Sequence, residues 1–235
     1  MDFKGMQKYF SPKNMIPQII GYGIAAFGVF IAIADWLFFG VPFIIVGGCI
    51  ILFLRDSRPS DNDIDSTAET KIKDLDERAK AHIDVHEKPI RAFQPEVFAG
   101  YDYSEPEGLL VSRGSDKKYR TNKYAAAELI FMQDRLHVLM YRFCLTKEDE
   151  RTTYMTEKYD DLGGASVSSK KETFRLYGRT DGESFERELQ TLEIRNNAGD
   201  IIFEIPVDAG ADVDRTVETI NQLVKSKKAQ NQSTD

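Results

Sequence analysis

The sequence predicts a membrane-anchored α+β protein. It has a two-helix transmembrane hairpin, an amphipathic connector helix, and a bent antiparallel sheet closed by a C-terminal helix. Three observations carry this reading. Forty residues, Met15 to Leu54, contain one charged side chain, Asp35. A narrow apolar stripe then recurs at helical spacing through a polar segment. The rest of the chain alternates like strands and ends in one amphipathic helix.

The divisions follow from these patterns: a polar lead at 1–14, the hairpin at 15–54, a polar connector at 55–95, a sheet domain at 96–225 and a polar tail at 226–235. A bilayer core of about 30 Å takes about 20 apolar residues per helix, so the forty-residue run suffices for two crossings. It divides at Asp35-Trp36, where the carboxylate belongs at a membrane surface and the indole suits the interfacial belt. Pro42 falls in the first turns of the second helix, where a missing N–H is tolerated. The run is too long for a signal peptide. Lys4, Lys8 and Lys13 precede it, Arg55 and Arg58 follow it, and the turn has no Lys or Arg. Both ends are therefore expected in the cytoplasm, with the chain in the cell membrane and lipid around the anchor. Gly21, Ala25, Gly28 and Ala32 share one face of the first helix, and Gly47 and Gly48 give the second a small-residue patch. Such faces suit close helix packing, within the hairpin or between copies.

In the connector, Ile64, Ala68, Ile72, Leu75, Ala79 and Ile83 recur at spacings of four, four, three, four and four. They predict an amphipathic helix over Asp65–His86, capped at Ser66-Thr67-Ala68-Glu69 and ended by Pro89. Its stripe calls for a cover, either the sheet domain or a neighbouring copy. The polar face lacks the cationic excess of membrane-surface helices.

Strands are expected at Leu109–Arg113, Ala127–Asp134, Leu136–Leu145, Arg151–Tyr159, Ala165–Ser169, Lys171–Tyr177, Leu189–Asn196 and Asp200–Val207. A turn falls at Asp161–Gly164, a loop at Gly178–Gly182, and a hairpin turn at Asn197-Ala198-Gly199. Asp212 or Asp214 then caps a helix with Val213, Val217, Ile220 and Val224 on one face. The order resembles the pleckstrin-homology-like (PH-like) domains of bacterial membrane proteins over Gly108–Lys225. The resemblance rests on the Asp134-Arg135-Leu136 turn, the Lys158–Leu162 segment, and the Leu192–Val207 hairpin running into the Val213–Val224 helix. Many of those proteins also carry paired transmembrane helices. A simple α+β sandwich is the competing architecture.

No catalytic constellation is legible. His137 reads as an exposed strand residue. Cys144, seven residues on in the same strand, projects to the opposite face, which excludes a Cys–His pair. Cys49 lies in the apolar run, so no disulfide joins the two cysteines. His82 and His86 share a helix face, but two ligands do not make a metal site. The clusters Glu148-Asp149-Glu150 and Asp160-Asp161 lack a calcium-loop register. No cofactor is called for. The one basic cluster is Arg113, Lys117, Lys118, Arg120 and Lys123. By the PH-like resemblance it could hold anionic lipid headgroups. The segment 91–235 has 21 basic and 26 acidic residues, which opposes that reading and disfavours nucleic acid. The function expected is a non-enzymatic interaction module tethered to a membrane. Its partner is another membrane-associated protein or further copies of itself, with lipid-headgroup recognition as the alternative.

Overall fold

In the computed structural model the described residues are 2–11, 16–34, 37–55, 58–83, 87–90, 93–176, 183–207 and 212–232. The Asp35-Trp36 turn, Lys13, His86 and the Gly178–Gly182 loop lie outside them.

The polar lead is not a loose extension. Helix α1 (Phe3–Phe10) starts at Asp2, whose carboxylate accepts from the Gly5 N–H at 3.0 Å. Its Met6 and Phe10 are buried, and Gln7 donates to the Thr146 carbonyl across the sheet domain at 3.2 Å. Alternating polar and apolar residues had hidden an amphipathic turn that needs the domain to cover it.

Helices α2 (Ile16–Ile33) and α3 (Leu37–Arg55) pack along each other as a hairpin. At 1.5 Å per residue, 18 and 19 residues reach about 27–29 Å, just short of a bilayer core of about 30 Å. Among the described residues no helix is long and apolar enough to cross a membrane. The expected pair of complete crossings is thus corrected to a coarser statement, an apolar helical hairpin. Its exterior carries exposed large side chains, among them Phe30, Ile33, Phe38 and Phe53.

The connector is two helices rather than one: α4 (Asp61–Lys71) and α5 (Leu75–Lys80). Ser60 and Asp63 form the capping box, not Ser66 and Glu69. The reason is local: the Thr67 and Thr70 hydroxyls bond back to the Asp63 and Ser66 carbonyls, which places Ser66 inside the helix. The apolar stripe is covered as expected. Ile64, Ala68, Leu75 and Ala79 are buried against Ala126, Ile130, Leu139 and Tyr141 of the sheet.

Among the described residues nine strands follow: β1 (Glu96–Tyr101), β2 (Val111–Arg113), β3 (Tyr119–Thr121), β4 (Lys123–Phe131), β5 (Arg135–Cys144), β6 (Glu150–Lys158), β7 (Leu162–Arg175), β8 (Ser184–Asn196) and β9 (Ile201–Val207). They form an antiparallel sheet in the order β1-β4-β5-β6, the β2-β3 hairpin, and an antiparallel sheet β7-β8-β9. Strands β1 and β3 are additions to the expected set. The two strands expected at Ala165–Ser169 and Lys171–Tyr177 are one, β7, which ends at Arg175, since Lys170 continues the pairing opposite Leu189; Tyr177 lies outside the described residues. Gly163-Gly164 therefore lies within β7, at a register shift, rather than in a turn. Helix α6 (Val213–Gln232) is tied to β7 by Asn221, which accepts from the Ala165 N–H at 2.8 Å and donates to its carbonyl at 3.0 Å.

Strand β5 is covered on both faces. Leu136, Val138 and Met140 join the core shared with β7–β9 and α6, while Leu139, Tyr141 and Phe143 join the seam under the connector. That seam positions the candidate site.

Candidate functional site

The seam begins at the first turn of α4. Asp61 and Asp65, four residues apart, project from one helix face. Asp61 accepts from the Tyr9 hydroxyl of α1 at 2.8 Å and from the Ser115 backbone at 2.7 Å. Asp65 accepts two bonds from Arg120, at 2.8 and 2.7 Å, and one from the Tyr101 hydroxyl at 2.5 Å. Arg120 also donates to both oxygens of Asp116, at 2.9 and 2.8 Å. This guanidinium is 2 % exposed. Its hydrogen bonds hold the Asp65 carboxyl below the usual range, against the opposing effect of burial. The cluster joins α1, α4, β1 and the β2–β3 hairpin at one point.

Further along, Glu128 of β4 is 1 % exposed and faces α5. Burial, and then the neighbouring Asp76, push its carboxyl up to about 7, while Lys80 acts the other way. One Glu128 oxygen has no hydrogen-bond partner. At the far end His137 is buried, not exposed as the alternation of β5 suggested, because Glu87 and Tyr154 close around its ring. Its Nε2 lies 2.6 Å from Glu87 Oε2, and its Nδ1 meets the Tyr154 hydroxyl. The Tyr154 ring stacks on His82, with centroids 4.6 Å apart. Burial holds the imidazole below its usual pKa despite Glu87. Nothing in the sequence pairs these residues, since Glu87 and His82 reach them only through tertiary folding. Among the described residues, no group of three or more His, Cys, Asp or Glu is placed to hold a metal ion.

The basic cluster does not converge. Arg120 is in the buried network. Lys123 reaches the Glu105 carbonyl at 3.1 Å and its carboxylate at 3.4 Å. Arg113 lies over the Tyr119 ring at 5.5 Å. Of the five, Arg113, Lys117 and Lys118 are exposed, the two lysines at the hairpin tip beside Asp116. A polyphosphate headgroup would find three exposed cations on the hairpin rather than five.

The small-residue face of α2 meets α3. A side-chain carbon on Gly28 would lie 2.8 Å from the Gly40 carbonyl oxygen and 2.8 Å from the Ile44 nitrogen. One on Gly40 would meet Ala32, and one on Gly47 would meet Ala25 and the Gly21 carbonyl. All four predicted residues, Gly21, Ala25, Gly28 and Ala32, thus lie in the contact within the hairpin.

The last feature is an edge. Among the described residues β6 pairs with β5 only, leaving its other side open, and Arg151, Thr152, Thr153, Thr156 and Lys158 are exposed.

Fold and site together define an α+β chain whose N-terminal helical hairpin enters and leaves through helices built onto the sheet. Comparison with family models, curated proteins and solved structures gives no match to this chain.

Proposed function

We propose that the chain is a membrane-tethered, non-enzymatic interaction module, with the α2–α3 hairpin in lipid and both flanks on the cytoplasmic side. One observation carries this reading: the two ends of the hairpin are fastened to the same domain. The Arg58 guanidinium donates to the Ser11 carbonyl at 3.2 Å, and Tyr9 bonds Asp61. An element that leaves and returns at one place, with Phe38 and Phe53 more than four-fifths exposed, suits an apolar solvent rather than water. The flanking lysines and arginines favour the cytoplasmic side. A meander of four strands with one inserted hairpin, then three strands, then a helix supports the PH-like resemblance, which implies recognition rather than catalysis. Holding such a domain at a surface raises its concentration near membrane partners, so weak contacts suffice.

Density-gradient flotation of cell membranes tests the anchor, and reporters fused before Met1 and after Asp235 test its topology. The expected result is a floating chain with both reporters active only in the cytoplasm. A chain that stays at the bottom of the gradient, or reporters on opposite sides, overturns it. Protease protection of the hairpin turn from outside separates a hairpin dipping into one leaflet from two full crossings.

A further inference from the structure

We propose that two copies of this chain join edge to edge through β6, continuing the four-stranded sheets into one of eight strands. The inference rests on the membrane-tethered reading and supplies its partner: a second copy of the chain.

The open side of β6 reads Glu150-Arg151-Thr152-Thr153-Tyr154-Met155-Thr156-Glu157-Lys158. An antiparallel pairing of two such strands about a two-fold axis at Tyr154 sets each residue opposite a determined partner. Glu150 faces Lys158 and Arg151 faces Glu157. Thr152 faces Thr156, Thr153 faces Met155, and Tyr154 faces itself. Both charged pairs at each end are of opposite sign, and all like-charge juxtapositions are avoided. The interior is threonine, tyrosine and methionine, residues suited to cross-strand packing. A shift of the pairing by two residues sets Glu150 opposite Thr156 and breaks every charged match, so the pattern selects one register.

The charges are placed where they can serve. Arg151 and Lys158 are exposed. Glu150 holds Lys71 and the Tyr141 hydroxyl, and Arg151 holds Glu105. A carboxylate has about four acceptor positions and a guanidinium five donors, so each retains capacity for a second partner. The two-fold axis of an antiparallel strand pair stands perpendicular to the sheet. It leaves α4 and α5 of both copies on one face of the joined sheet, and these are the segments that follow the hairpins. Two copies in one membrane require that arrangement. A hairpin tether confines both copies near one plane, which favours a contact of modest intrinsic strength.

Complementary charge reversals test the register. The full chain in detergent micelles is followed by sedimentation velocity over a wide concentration range, as wild type, Lys158→Glu, Glu150→Lys, and an equal mixture of the two variants. The wild type should form reversible dimers. Each single variant sets like charges opposite each other twice, and its dimerisation should weaken by about tenfold or more. The mixture should regain dimers. At one end of the mixed strand pair the two introduced charges meet, a carboxylate from the first variant and an ammonium from the second. At the other end the unaltered Glu150 and Lys158 form the native pair. Circular dichroism checks folding. Should Glu150→Lys fail to fold through loss of its Lys71 contact, Arg151→Glu mixed with Glu157→Arg poses the same question. A wild type that stays monomeric, single variants that dimerise like wild type, or a mixture no better than its components would each overturn the proposal. A floating but monomeric chain removes the edge contact and leaves the anchor; a dimeric chain that does not float does the reverse.

Discussion

Arg120 and Asp65 are joined by two parallel hydrogen bonds across fifty-five residues of sequence. The pair fastens the start of the connector to the β2–β3 hairpin, and Asp116 and Tyr101 complete the shell around it. The geometry needs a planar fork of donors, which lysine cannot supply.

Arg120→Ala should therefore destabilise the folded chain by about 2–3 kcal/mol. This is somewhat less than for a fully dry ion pair, because Asp65 is partly open to water. Arg120→Lys should recover little of the loss. Chemical denaturation at neutral pH measures both. Asp65 and Asp116 ionise below the usual carboxylate range in the fold. Their contribution is complete above about pH 4 and fades as acid protonates them. The Arg120→Ala chain should accordingly lose less stability on acidification than wild type.

Glu128 gives the opposite slope. Its carboxyl titrates near 7 in the fold and at an ordinary carboxylate value when unfolded, so between those values the folded chain holds the extra proton. Stability falls as pH rises from about 4.5 to 7 and stays reduced above. Glu128→Gln should be stabilising at pH 8, on the order of 1–2 kcal/mol, and neutral below pH 4.5. Unfolding midpoints at pH 4.5, 6 and 8 check this. A variant less stable than wild type at pH 8 would show that Glu128 gains more from Lys80 than it loses to burial and Asp76.

Gly28 and Gly23 lie on the same helix with opposite surroundings. A side chain at Gly28 collides with the Gly40 and Ile44 backbone, whereas one at Gly23 meets nothing within 4 Å. Gly28→Leu should separate α2 from α3 and lower the thermal midpoint of the detergent-solubilised chain by several degrees. Gly23→Leu should leave it unchanged. Equal effects at both positions would move the helix contact to another face.

Together with Arg113, Lys117 and Lys118 are the cations of the cluster that folding leaves exposed, and the two lysines form the hairpin tip. The double change of the two lysines to Gln should weaken binding of the full chain to anionic vesicles by no more than about thirtyfold, since each cation near such a surface contributes about 1 kcal/mol and Asp116 adjoins both. Loss of nearly all vesicle binding in this variant would restore the headgroup reading.

Periodicity determined much of this protein. The apolar run from Met15 to Leu54 determined a helical hairpin, and the small residues on one face of α2 marked the side that meets α3. The stripe from Ile64 to Ile83 determined which face of the connector is buried, and alternation located most strands. These are local properties, carried by spacings of two to four residues. What only the tertiary structure decided lies where distant segments meet. The polar lead became α1 because the sheet domain covers Met6 and Phe10. His137, which the alternation of its strand assigned to the surface, was buried by the segment carrying Glu87. The basic cluster lost Arg120 to Asp65 and Lys123 to Glu105, because a charge in a folded chain is satisfied by whichever opposite charge the topology brings within hydrogen-bond reach. Spacing along the chain fixes which way a side chain points from its own helix or strand; which partner stands opposite it is decided by the packing of elements many residues apart.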